Sequence, residues 1–304
     1  MKSIYIAATI FFSILFTLCS THAVAQNNAL YNQTVTNGQG NVILLGKSTR
    51  ERLQQAPFDS WFDKNYADYT VDTVAAQRLK PLLQHKRFVI FMGTWCGDSR
   101  REVPRIYKLL DYCGIPASQI ELINLNNADT AYKQSPGHEE KGLNIFRVPD
   151  LLVYDGKHEI GRVIESPVAS WEKDLLAIAG KESYQPHYAG TATLGKLYST
   201  TPLEKLAKDT QAIAATLKPL VIARGELHSY GNLLMQSKDT AHAMLTYCIN
   251  TQLYPGDPVA WTTLATACFK TGDKRGAANC CRVALGLQPD NKEAAALLQQ
   301  LDGQ

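Results

Sequence analysis

The sequence predicts an α/β domain, with a central mixed sheet and flanking helices, followed by an all-α domain of stacked helix pairs. Three observations carry this expectation. Phe88-Val89-Ile90-Phe91-Met92 is a continuous apolar run, the pattern of a central strand buried on both faces. Apolar segments at 151–154 and 160–164 flank Asp155-Gly156, a strong hairpin signal. Past Pro202 there is no strand signal, and helical positions recur with a spacing of 34 residues, from Pro255 to Pro289 among others.

The chain has 304 residues, 45% of them apolar, enough for about two domains with a sizeable core. Lys2, the apolar run 4–18 and the small-x-small triplet Ala23-Val24-Ala25 read as a secretory signal at 1–25, cleaved after Ala25, with export to a periplasmic type of compartment. A retained membrane anchor is the alternative. Net charge is +3 before Lys2 is removed, and no basic run exceeds Arg100-Arg101, which argues against nucleic acid or an anionic membrane as partner. Of the seven cysteines, Cys19 leaves with the signal. The other six are expected where disulfides form and persist.

Residues 26–70 read as an N-terminal extension. Its first part, 26–40, is rich in Asn, Gln, Thr and Gly and looks loose. After Val42-Ile43-Leu44-Leu45, the Ser48 to Glu51 spacing matches a capping box opening a short helix. Gly46-Lys47-Ser48-Thr49 mimics the tail of a phosphate loop, but Asn41 stands where that loop needs glycine and the intervening residues are bulky. Phe58, Trp61, Phe62, Tyr66 and Tyr69 read as packing at a core edge. The main α/β domain is expected at 71–182. It begins with a helix whose apolar face holds residues 71, 74, 75, 79, 82 and 83, with Pro81 as a kink or stop.

After the strand at 88–92, Val103, Ile106, Tyr107, Leu109 and Leu110 repeat at helical spacing as far as Gly114. Residues 122–125 read as a further strand. The polar stretch 126–144 reads as a loop with room for one short helix, and Ser170 opens a helix ending near Gly180. Residues 183–201 are taken as a linker to a helical domain at 202–304. There Leu227 falls in register with Trp261, Tyr230 with Leu264, Gly231 with Ala265, Ala243 with Ala277 and Tyr247 with Cys281. Two repeats bury too little alone, so 202–221 and 291–301 are expected to flank and cap them.

Chemistry centres on Trp95-Cys96-Gly97-Asp98-Ser99. The order of strand, Trp-Cys-Gly, helix, strand, loop, Val148-Pro149, hairpin and helix resembles the thioredoxin fold. The segment 91–110 is similar to exported thioredoxin-like proteins of the Bacteroidetes type. Pro104 lies where that family carries a helix proline. The resemblance implies a cis-proline loop at Val148-Pro149, beside the active sulfur and, with Trp95, against the substrate chain. The 34-residue period is that of tetratricopeptide repeats, implying a concave surface for a protein or peptide.

Independently of kinship, a cysteine at a helix N-terminus meets unpaired backbone N–H groups that stabilise thiolate over thiol. Gly97 supplies that helix start, and Arg100 and Arg101 add positive charge, opposed by Asp98.

Two departures from the family matter. Ser99 holds the resolving position, and Ile90 stands where the family buries a carboxylate. Cys113 lies 17 residues on, roughly 25 Å along a regular helix, too far to pair with Cys96. The expected activity is therefore monothiol disulfide exchange through Cys96, either isomerisation or mixed-disulfide reduction. Ser99 donates to the thiolate, protein thiols or disulfides are the substrates, and a small external thiol resolves the adduct. The alternative is a thioredoxin-like and repeat-bearing binding module or scaffold without turnover. No metal or cofactor is implied, since neither His138-Glu139-Glu140 nor the seven histidines show ligand spacing. Cys248, Cys268, Cys280 and Cys281 read as structural thiols or one disulfide between repeat helices, whose pairing the sequence leaves open.

Overall fold

The structure, a computed structural model, describes residues 31–303. The signal segment 1–25 and Cys19 lie outside them. The chain forms two compact units. The first holds residues 31–128, 133–139 and 147–184, and the second holds 129–132, 140–146 and 185–303.

The first unit is built on a six-stranded mixed sheet, in the order β1-β2-β4-β3-β5-β6. Its strands are β1 (Gln33–Thr36), β2 (Val42–Ser48), β3 (Lys86–Met92), β4 (Ile120–Asn124), β5 (Asp150–Asp155) and β6 (His158–Ile164). Only β3 and β4 run parallel; the other neighbours are antiparallel. The central apolar run is β3, with Phe88, Ile90, Phe91 and Met92 fully buried. The predicted hairpin is β5–β6, where Gly156 takes the left-handed φ of +59° that its turn needs.

The extension is not separate from this domain. Val42–Leu45 belongs to β2, which joins the sheet through β4, and the polar segment before it supplies the edge strand β1. Every side chain of β1 is exposed, so no alternation of hydrophobicity marks it. The expected capping box is also absent. Ser48 ends β2, where its Oγ accepts from Asn124 Nδ2 at 2.6 Å, and Thr49 is the N-cap of α1 (Arg50–Leu53).

Helices α2 (Asp59–Asp68), α3 (Thr73–Leu83), α4 (Gly97–Tyr112) and α5 (Trp171–Ala179) share one core with the sheet. In α3, Asp72 caps the first turn and Pro81 lies inside the helix, which ends two residues later. The buried face is Ala75, Ala76, Leu79 and Leu83; Val74 and Leu82, expected inside, point outward. Phe58 and Phe62 fill the core while Trp61, Tyr66 and Tyr69 cover its edge. All five apolar positions read in α4 are buried, and Gly114 follows it with φ +73°. Ser170 caps α5 through Lys173 N. Residues 126–144 form turns and hold no helix.

The second unit is helical: α6 (Ala189–Thr200), α7 (Leu203–Lys208), α8 (Thr210–Leu217), α9 (Gly225–Gln236), α10 (Thr240–Leu253), α11 (Pro258–Lys270), α12 (Lys274–Leu287) and α13 (Lys292–Asp302). The expected linker thus contains α6. Its Gly, Thr and Ser content gives weak intrinsic helicity, and tertiary contacts fix it: Thr191 N and Oγ1 both donate to the buried Glu226 Oε1, at 2.9 and 3.0 Å. The 34-residue spacing reappears in the caps. Asp239 and Asp273 cap α10 and α12, and Asp257 and Asn291 cap α11 and α13, each accepting a backbone N–H. Small residues in register set the helix approach: Ala243, Ala265 and Ala277 are fully buried, and a Cβ on Gly231 would meet the Tyr247 ring at 2.4 Å. No helix among the described residues is long and apolar enough to cross a membrane.

Candidate functional site: Cys96 and its surroundings

Strand β3 delivers the chain into a tight turn in which Cys96 N donates to Gly93 O at 2.9 Å. Thr94, buried, pins that turn to β2 by accepting from Leu44 N at 3.1 Å. Trp95 donates its indole N–H to Leu125 O at 2.8 Å. Its ring lies over Gly93, where any Cβ would come within 2.4 Å.

Cys96 is then the N-cap of α4, with φ −87° and ψ 127°, and its carbonyl accepts Arg100 N. The sulfur therefore stands at the helix N-terminus, half-buried. Next to it Gly97 is exposed, and a Cβ there would meet nothing within 4 Å. Pro104 leaves the Arg100 carbonyl without its helical donor. Asn65 Nδ2 of α2 supplies one at 3.2 Å.

The segment before β5 lies against the sulfur. The Val148–Pro149 peptide is cis, and Cys96 Sγ donates to Val148 O at 3.3 Å. Pro149 O in turn accepts Glu165 N at 2.7 Å, tying this segment to the end of β6.

The remaining residues singled out in the sequence are placed as follows. Ser99 is fully buried, and its Oγ accepts Gly93 N at 3.3 Å, holding the turn under the cysteine. Arg100 Nε donates to Thr94 O at 2.5 Å. Arg101 pairs with Asp98 at 2.8 Å and Glu102 at 2.6 Å. The two arginines thus brace the turn and the first helical turn. Cys113 is the C-cap of α4, fully buried, its thiol pushed up to about 11 by burial.

Two further charged residues near these segments were not singled out in the sequence. Lys133 sits in the loop after β4, which folds back through Asn126 N to Gln134 O and Lys133 N to Asn126 O. Burial and the neighbouring Arg147 bring its ammonium down to about 8, while the charges of Cys96 and Glu165 favour its protonated form. Arg147 itself lies 3.6 Å from Glu165. A lone lysine in a turn-rich loop carries no periodic signal.

The second is Asp150, first residue of β5 and paired with Phe91. It is fully buried, with Oδ2 3.3 Å from Arg162 Nη1 and Oδ1 unpartnered. Burial pushes its carboxyl up to about 7, outweighing the pull of Arg162. Ile90 is a core residue, so the buried carboxylate of this sheet stands on β5.

Among the described residues, no cluster of three or more His, Cys, Asp or Glu side chains is arranged to hold a metal ion. A cavity of about 470 Å³ lined by Lys47, Arg50, Arg87, Asp111 and Glu121 contains none of the thiol-site residues. In the helical unit, one face of α9, α11 and α13 lines a groove of about 390 Å³ with His228, Asn232, Thr263, Thr266, Lys270 and Glu293. No protein-family model matches the chain, and no curated protein matches it.

Proposed function

We propose that the first unit is a thioredoxin-like domain performing monothiol disulfide exchange through Cys96, and that the helical unit is a tetratricopeptide-repeat module binding a protein or peptide. The observation that carries this is the placement of Cys96 Sγ at the start of α4, 3.3 Å from the carbonyl preceding a cis proline, beside an exposed Gly97. A helix N-terminus and the nearby Lys133 ammonium both favour negative charge on that sulfur.

In the reaction, the Cys96 thiolate attacks one sulfur of a substrate mixed disulfide. The S–S bond breaks, and the substrate leaves as a thiolate that takes a proton from solvent. An external small thiol then attacks the adduct, restores Cys96 and departs as a small disulfide. Ser99 cannot perform that second attack, because a hydroxyl is far too weak an acid. The substrate chain lies along Trp95 and Val148-Pro149. The apolar start of the sequence supports a place outside the cytoplasm.

Turnover tests the reading. A glutathionylated peptide with excess reduced glutathione is deglutathionylated catalytically by the wild type and not by Cys96→Ser. A second reading, capture without release, is favoured by the one thiol at this site. It predicts a stoichiometric Cys96 adduct and no rate enhancement with added thiol.

A further inference from the structure

The cavity beside Lys47 and Arg87 has its cause in the sheet. Strand β2 pairs with β4 only as far as Ser48 opposite Leu122, where the chain leaves for α1. Ile120 and Glu121 therefore keep β3 on one side and have no paired strand on the other. The notch left there is the cavity of about 470 Å³, lined also by the C-terminal half of α4 and the segment before β4. That volume suits a small organic ligand. Part of the wall is apolar, since Ile115 and Leu122 lie in it and are 5% and 2% exposed.

Its acceptors are engaged and its donors are not. Arg50 Nη1 donates to both oxygens of Asp111, at 2.8 and 2.7 Å, and Tyr66 donates to Oδ2 at 2.7 Å. Glu121 lies between two cations, with Lys47 Nζ 2.6 Å from Oε1 and Arg87 Nη1 3.6 Å from Oε2. Arg87 makes no hydrogen bond to a described residue. Its guanidinium carbon lies over the Tyr154 ring, 4.1 Å from the centroid, which fixes the group and leaves its N–H groups unused. The Tyr107 hydroxyl also has no hydrogen bond to a described residue, although Tyr107 is only 4% exposed. Arg50 matches Asp111, whereas Lys47 and Arg87 against Glu121 leave one surplus positive charge. Glu51, the remaining carboxylate of the wall, is exposed on α1.

We propose that this cavity is a binding site for a small organic monocarboxylate with an apolar body. The carboxylate takes N–H donors from Arg87 and Lys47, cancelling the surplus charge, and the Tyr107 hydroxyl adds a further donor. The hydrocarbon part lies on Ile115 and Leu122. A phosphate dianion brings more negative charge than this end of the cavity can balance, and an amide of the same shape loses the charge-assisted bonds. None of these residues belongs to the Cys96 site, so the inference stands apart from the disulfide-exchange reading.

Isothermal titration of the full chain with phenylacetate and with hexanoate, beside phenylacetamide and inorganic phosphate, tests this. Saturable binding of at least one carboxylate at a single site is expected, with phenylacetamide and phosphate weaker by about tenfold or more. Arg87→Gln should lower the carboxylate affinity about tenfold, and Lys47→Gln and Tyr107→Phe severalfold, while Cys96→Ser binds as the wild type does. No saturable binding of either carboxylate up to about 10 mM overturns the proposal. Equal binding of phenylacetamide, tighter binding of phosphate, or an affinity unchanged in both Arg87→Gln and Lys47→Gln overturns it as well. The comparison of the four ligands on the wild type decides even if Tyr107→Phe does not fold.

Discussion

Cys96 Sγ donates to Val148 O at 3.3 Å, joining the start of α4 to a segment 52 residues further along the chain. The thiol can donate to that carbonyl only while protonated. Lys133 is close enough for the charge of Cys96 to favour its ammonium form.

Lys133→Met is therefore expected to slow alkylation of Cys96 several-fold near pH 7. Lys133 titrates near 8, so it is charged below that pH and neutral above it. The wild-type and variant rate–pH profiles, read by mass spectrometry at Cys96, should differ below pH 8 and converge above it. Profiles that coincide throughout contradict the role.

Ser99→Cys places a second sulfur one helical turn into α4, where Ser99 is fully buried under the turn at Gly93. The variant should form a 96–99 disulfide and reduce protein disulfides with a dithiol stoichiometry, without external thiol. A folded variant lacking both outcomes counts against the thioredoxin-like assignment.

Glu102 and Trp171 join α4 to α5. The carboxylate is 3% exposed and accepts the indole N–H at 2.8 Å, Arg101 Nε at 2.6 Å and Arg105 Nη1 at 3.1 Å. Glu102→Ala leaves a buried indole donor unpaired, a loss of about 2–4 kcal/mol. Trp171→Phe leaves the carboxylate its two arginines but opens space in the core, a loss of about 1–3 kcal/mol. Denaturant midpoints at unchanged slope measure both.

Asp150 makes stability depend on pH in a direction opposite to most carboxylates. Its folded value, about 7, lies above its ordinary 3.8, so between these values the folded state binds more protons than the unfolded one. Stability from this group is full below pH 4 and lost as pH rises to 7, by a few kcal/mol on an order-of-magnitude basis. Asp150→Asn removes that slope. Urea melts of both proteins across pH 4 to 8 check it, and parallel curves contradict the burial argument.

Gly231→Ala drives a methyl against the Tyr247 ring at a 2.4 Å approach, and should destabilise the helical unit by about 1–3 kcal/mol. Ala at Gly286, where a Cβ meets nothing within 4 Å, is the control and should be neutral or slightly stabilising.

Much of this architecture was legible because it is periodic. The run at 88–92, the α4 face and the Asp155-Gly156 turn state their role in neighbouring residues, and the 34-residue spacing marks the last helices. What escaped is held by distant partners. The all-exposed β1 exists through pairing with β2, and α6 through Glu226. Ser48 takes Asn124 as its partner and not the local helix end. At the site, Trp95, Cys96 and Val148-Pro149 could be named from the motif. Adjacency in sequence did not say that Thr94, Asp98 and Glu102 engage the guanidinium groups of Arg100 and Arg101. Lys133 and Asp150 depend on loop closure and strand pairing, which no local pattern encodes.

The most direct test of the account is the second-order rate of iodoacetamide with Cys96 at pH 6, measured site by site against free cysteine in the same buffer. The account predicts a clearly faster reaction at Cys96, with Cys113 unreactive. A rate equal to or below that of free cysteine would contradict it.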